Sequence, residues 1–273
     1  MQWKTIPVAV PEPRINPKFP TLDYEYIFME PSSKENRRPP LAVYIHGGPH
    51  TTFTADFRPY TAGLCMCGYA VLMVNYRGSL GFGQDSINSL LGNIGRQDVD
   101  DVQGVVEQIV ASGSVDKNRV VVIGGSHGGF LTVHAIGQFP NFYRAAVARN
   151  PVVNIASMLG STDIPDWAFT ETGLNFDPAA VPTVETYGEM LKRSPLVNVD
   201  RIKTPLMLMI GGKDLRVPTS QGLELKKALE ARNVPLRVLW YADSSHPLSE
   251  VKSEADAFIN IIKWFDDHTM TRL

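Results

Sequence analysis

The chain is poor in cysteine, with only Cys65 and Cys67 in 273 residues. They stand two positions apart on a segment with helical patterning, which points them to different faces, so no disulfide between them is expected. Both read as small buried hydrophobes in a reducing compartment, so a cytoplasmic protein is expected. Long apolar runs are also missing. No stretch reaches the roughly 18 residues a membrane-spanning helix requires. No basic segment followed by an apolar core opens the chain, so no secretory signal is expected. Neither sign of charge dominates, with 26 Lys and Arg against 28 Asp and Glu and a net charge of −2. Without a charge cluster, nucleic acid and an anionic membrane are both disfavoured as partners. Phosphate loops are absent: no G-x-x-x-x-G-K-[ST] occurs, and the glycines of 124–129 do not fall as G-x-G-x-x-G.

What is present suits one large α/β domain, since 44% of the residues are hydrophobic and the length allows a sizeable core. Five prolines among polar residues over 1–20 read as an extended arm or linker. The domain is then expected over 21–273. Leu22–Phe28 reads as an edge strand, Leu41–Ile45 as a buried strand, Thr54–Gly68 as a helix and Tyr69–Asn75 as a second core strand. Val99, Val102, Val105, Val106, Ile109 and Val110 form a helix stripe. From there strands and helices alternate to the C-terminus, with Asn150 to about Leu196 standing out as a cap-like insertion of short helices. Such alternation predicts a mostly parallel central sheet with helices on both faces.

The chemistry centres on Val120-Val121-Val122-Ile123-Gly124-Gly125-Ser126-His127-Gly128-Gly129. A β-branched run, a G-x-S-x-G turn and a helical pattern predict a nucleophile elbow with the Ser126 hydroxyl raised above the sheet. A serine needs a base and an acid that orients the base. Asp214 follows the apolar run 206–210, and His246 follows the strand ending at Tyr241. The chain order Ser126, Asp214, His246 is that of the α/β-hydrolase fold. Asp243, Asp163 and Asp166 are weaker candidates for the acid. Two backbone N–H groups are expected to stabilise the oxyanion, from His127 at the helix start and from Gly48 in His46-Gly47-Gly48-Pro49. Val152, Ile155 and Met158, in the stretch after a strand end, are candidates for an apolar substrate pocket. His46 and His50 share the spacing of a helical metal pair, but the glycines and proline between them prevent a helix, so no metal site is expected. Read this way the site supports acyl transfer to water, with ester, amide and peptide substrates unseparated. A carboxylesterase-like hydrolase of small esters and a non-catalytic interaction domain both stay open.

These residues together resemble the catalytic domain of the prolyl oligopeptidase family of serine peptidases. The resemblance rests on His46-Gly47-Gly48-Pro49, on Asn75-Tyr76-Arg77-Gly78-Ser79 with Gly81-Phe82-Gly83, on the elbow, and on the Asp214 and His246 loops. Within the family, 148–157 and 160–167 are similar to the branch that releases N-acylated amino acids. The resemblance implies cleavage of short N-acylated peptides without a cofactor, with Ser126, Asp214 and His246 as nucleophile, acid and base. It also implies Gly48 and His127 as oxyanion donors and the possibility of a homo-oligomer. Family members carry a β-propeller ahead of this domain, where this chain has only the proline-rich arm. A fragment, a processed chain or a propeller-less form is therefore expected, with size selectivity left open.

Overall fold

The computed structural model describes residues 2–11, 14–32 and 38–269. Its sheet is built from β1 (Gln2–Ala9), β2 (Asp23–Glu30), β3 (Leu41–Ile45), β4 (Ala70–Asn75), β5 (Val120–Gly125), β6 (Ala145–Arg149), β7 (Leu206–Gly211) and β8 (Leu236–Tyr241). The spatial order is β1-β2-β4-β3-β5-β6-β7-β8. The β1–β2 and β2–β4 pairs are antiparallel, and every pair from β4–β3 to β7–β8 is parallel. Helices α1 (Pro59–Met66), α2 (Gln84–Leu90), α3 (Gln97–Ala111), α4 (His127–Gln138), α5 (Ile155–Met158), α6 (Pro165–Glu171), α7 (Val184–Lys192), α8 (Thr219–Glu230) and α9 (Val251–Thr269) complete it. The result is the α/β-hydrolase fold.

The continuous apolar strands have a direct cause, because the sheet is covered on both faces. Val120 and Val122 of β5 face one core, which takes in Val102 and Val106 of α3, Phe130 and Val133 of α4 and Leu225 of α8. Val121 and Ile123 face the other, with Leu64 and Cys65 of α1 and Ile261 and Phe265 of α9. Each such side chain, once buried, contributes about 1.5–3 kcal/mol. The parallel strands end together at one edge of the sheet, and the site is built on the loops above that edge.

Four expectations need correction. Residues 2–9 are not a free arm: they form β1, which makes β2 an interior strand. Ile6, Val8 and Val10 pack against the core from this edge, and Pro7 is tolerated there because an edge strand can spare an N–H. Arg14 then donates to the Asp100 carbonyl at 2.9 Å and Asn16 to Gln97 Oε1 at 3.0 Å, which lays this segment along α3. Helix α1 begins only at Pro59, in the first-turn position that proline favours. Cys65 is buried as expected, whereas Cys67 caps α1 and is exposed. The 150–196 region is the expected set of short helices.

Candidate active site

Ser126 sits between β5 and α4 with φ 59° and ψ −125°, a left-handed conformation that costs a non-glycine residue about 1–3 kcal/mol. The fold holds it there: Ser126 N donates to the Arg149 carbonyl at 2.9 Å, and its own carbonyl accepts from Phe130 N at 2.9 Å. A Cβ on Gly124 would fall inside contact distance of the Gly128 backbone, and one on Gly128 would strike the Ile45 carbonyl. Both outer glycines of G-x-S-x-G are thus required for the close strand–helix approach.

Asp214 lies just beyond the end of β7, and His246 is in the loop after β8. His246 Nδ1 donates to Asp214 Oδ2 at 2.6 Å. The other carboxylate oxygen, Oδ1, accepts from Arg216 N and Val217 N, both at 2.9 Å. With Asp214 only 5% exposed, both oxygens are fully committed, and the imidazole is fixed with its proton on Nδ1 and Nε2 free to act as base. Asp243 instead extends into solvent and pairs with Lys213 at 2.7 Å, and Asp163 pairs with Arg216. The Asn150 side chain braces the histidine loop, donating to the His246 carbonyl at 2.8 Å and accepting from Gly211 N at 2.8 Å. Ser126 and His246 line one cavity, with no hydrogen bond between them among the described residues, a looseness common before substrate arrives.

Across from this pair lies the loop His46–His50. Gly47 lets it lie on the elbow, since a Cβ there would come within 2.9 Å of the Gly125 carbonyl. The Asn75–Ser79 segment supports the loop from beneath. Tyr76 Oη donates to the His46 carbonyl at 3.2 Å, and Ser79 Oγ is 2.9 Å from His46 Nε2. Arg77 makes a bidentate pair with Asp101 at 2.7 and 2.8 Å, both side chains about 1% exposed. Burial lowers the His46 pKa to about 4, so its ring is neutral at neutral pH. The rings of His46 and His50 turn to separate partners, His50 to the Gly78 carbonyl and Glu171.

Three contacts at this loop and the elbow it faces have no local sequence signal. Trp167 of α6 donates from Nε1 to the Gly48 carbonyl at 2.9 Å. Its ring also meets the His127 imidazole edge-on, 6.0 Å between centroids. His127 Nε2 donates to Asp98 Oδ2 at 2.9 Å, with both side chains fully buried. Asp98 in turn accepts from Gly95 N and Val99 N. The two residues expected to supply oxyanion donors are therefore each held by a distant side chain.

The cavity holds about 550 Å³, within the range that encloses a small ligand. Val152 and Met158, themselves almost wholly buried, border it together with Ile164, Trp167 and Val217. Ile155 does not. It is 0% exposed and packs in the main core, its N–H bonded to Ser194 Oγ at 2.9 Å. Arg58, Arg149 and Arg216 also line the cavity, brought together from two loops and the end of β6, with no basic cluster in sequence.

The model of the prolyl oligopeptidase family matches residues 55–271, most of the chain. The chain belongs to the prolyl oligopeptidase family. Among curated members of this family it is 49% identical over 269 residues to the acylamino-acid-releasing enzyme of Homo sapiens, a match covering 98% of this chain and 37% of that protein. The same enzyme from Arabidopsis thaliana is 43% identical over 89% of this chain and 32% of its own length. The chain thus spans about a third of the length of these relatives. A solved acylaminoacyl peptidase of Pyrococcus horikoshii superposes over the whole chain and 42% of its own, with a TM-score of 0.85 at 21% identity. That likeness bears on the fold alone.

Proposed function

We propose that this chain is the hydrolase unit of an acylaminoacyl-peptidase, releasing an N-acyl amino acid from short blocked peptides. The observation that carries the reading is the 2.6 Å bond from His246 to a fully committed Asp214, facing Ser126 across one cavity. In this reading His246 Nε2 takes the Ser126 proton as Oγ attacks the carbonyl. The N–H groups of Gly48 and His127 receive the developing oxyanion. Collapse of the intermediate passes the proton to the leaving nitrogen, and water then hydrolyses the acyl-enzyme with His246 again as base. The apolar wall of Val152, Met158 and Trp167 takes the acylated side chain.

Relatives named acylamino-acid-releasing enzymes at 49% identity support the substrate class. A cytoplasmic setting and assembly as a homo-oligomer belong to the same proposal. Among the described residues, no helix is long and apolar enough to cross a membrane. The test is hydrolysis of N-acetylated peptides beside simple esters, with fluorophosphonate labelling of wild type and Ser126→Ala. Labelling lost in the variant and cleavage of the acetylated peptides are expected. Ester hydrolysis without peptide cleavage would make the chain a carboxylesterase-like enzyme instead.

A further inference from the structure

The cavity carries an imbalance of charge that acyl transfer does not explain. Among the described residues, three arginines line it and no Asp or Glu does. Two of the three have carboxylate partners: Arg58 bonds Asp56 at 3.0 Å, and Arg216 bonds Asp163 at 3.3 Å. Arg149 has none among the described residues. Its Nη2 donates to the Pro247 carbonyl at 3.0 Å, its guanidinium lies 5.9 Å over the Tyr60 ring, and its buried Nε has no hydrogen-bond partner among the described residues. A half-buried guanidinium with no carboxylate beside it is open to an anion that enters the cavity, and its fork geometry fits a carboxylate.

The position of Arg149 says which part of a substrate it meets. It ends β6, whose partner in register is Gly125, one residue before the nucleophile. Its side chain reaches the carbonyl of the residue after His246. A histidine that protonates the leaving nitrogen stands on the departing side of the scissile bond. Arg149 therefore borders the space into which the leaving peptide emerges. The apolar wall of Val152, Met158 and Trp167 carries no charged group for comparison.

We propose that Arg149 binds a carboxylate on the departing portion of the substrate, so that the cavity selects blocked peptides whose negative charge lies within a residue or two of the cleaved bond. A free C-terminus of a dipeptide or tripeptide provides such a charge, and so does an acidic side chain. This selection rests on the peptidase reading above.

The experiment compares kcat/KM for N-acetyl-Ala-Ala, its C-terminal amide, and N-acetyl-Ala-Asp-amide, by wild type, Arg149→Gln and Arg149→Lys. A hydrogen-bonded ion pair supports a preference of roughly ten- to hundred-fold. Wild type is expected to favour N-acetyl-Ala-Ala over its amide by that margin. Arg149→Gln brings the ratio close to one, and Arg149→Lys restores part of it. Preference for the Asp-amide alone assigns the site to acidic side chains, and preference for N-acetyl-Ala-Ala alone to the C-terminus. Equal rates on all three substrates in wild type overturn the subsite, a comparison that holds even where a variant fails to fold. A preference that survives in folded Arg149→Gln overturns it as well. Hydrolysis of a simple ester with no cleavage of any blocked peptide overturns the peptidase reading, and the subsite with it.

Discussion

Replacing Asp214 by Asn tests the acid–base half of the site, and the structure dictates how the variant must behave. Asp214 Oδ1 accepts from two backbone N–H groups, at Arg216 and Val217. An amide NH2 cannot take that place, because donor would face donor. The Asn oxygen must therefore occupy the Oδ1 position, which turns its NH2 toward His246 Nδ1. That nitrogen now has to accept, so the imidazole proton moves to Nε2, the atom that should receive the Ser126 proton. The fold loses one charge-assisted bond, about 1.5–3 kcal/mol at most, while the wrong tautomer removes the base. A fall in kcat of about four orders of magnitude is expected, close to 5 kcal/mol of barrier. Turnover of an N-acetylalanine anilide at neutral pH, with a thermal melt to establish folding, makes the measurement. Asp243→Asn serves as control, since that carboxylate only meets an exposed lysine. A folded Asp214→Asn within ten-fold of wild type, or an inactive Asp243→Asn, would refute the reasoning.

Ser126→Ala should keep the fold and abolish fluorophosphonate labelling, and persistent covalent labelling would place the nucleophile elsewhere. Trp167→Phe keeps the ring against His127 but removes the donor to the Gly48 carbonyl; kcat should drop about ten-fold with KM little changed, less than the loss of an oxyanion donor itself. A rise in KM alone would make Trp167 only a wall. Ile155→Ala should cost about 2–5 kcal/mol in a urea unfolding curve and leave substrate preference unaltered, because the side chain is in the core; a shifted preference would return it to the pocket. Burial lowers the His134 pKa to about 4, below the roughly 6.5 of an unfolded histidine. The unfolded chain binds more protons between those values, so this term stabilises fully above pH 6.5 and is lost as pH falls through 4, up to about 3 kcal/mol. His134→Gln should flatten the stability profile over that window, and an unchanged slope would contradict the assignment.

The second half of the fold was legible because β5, β6 and β7 are short, almost wholly buried runs and each long helix shows one apolar stripe. Where those two signals fail, so does the reading. Strand β1 is mostly exposed and carries Pro7, so its alternation of Ile6 and Val8, continued by Val10 just past its end, was masked by the proline count. Helix α2 buries Ser86 and Ser89 beside Leu90, and a polar buried face has no hydrophobic periodicity to find. In Thr54–Gly68 the apolar residues suggest a helix throughout, but Asn75 clamps the Phe53 backbone through two bonds at 2.7 and 3.0 Å and delays the helix to Pro59.

The site divides along the same physical line. Ser126 stands directly after β5, and Asp214 and His246 in the loops that follow β7 and β8, with Asp214 oriented by amides two and three residues away. Short-range geometry of that kind leaves its imprint on spacing. The opposite wall is held by side chains from remote segments: Trp167 reaches Gly48 across 119 positions and Asp98 reaches His127 across 29. Nothing in local pattern marks those partners, and a buried aspartate at the start of α3 reads as a helix-start carboxylate until the fold brings His127 onto it. The same holds for Ile155, because an apolar residue after a strand end looks alike whether it faces a cavity or a core. Only the packing of α5 against Ser194 and the main core decides it. Substitutions on the acid–base side should thus act through neighbours in sequence. Those on the oxyanion side should act through the docking of α3 and α6, coupling catalysis to how well the cap is seated.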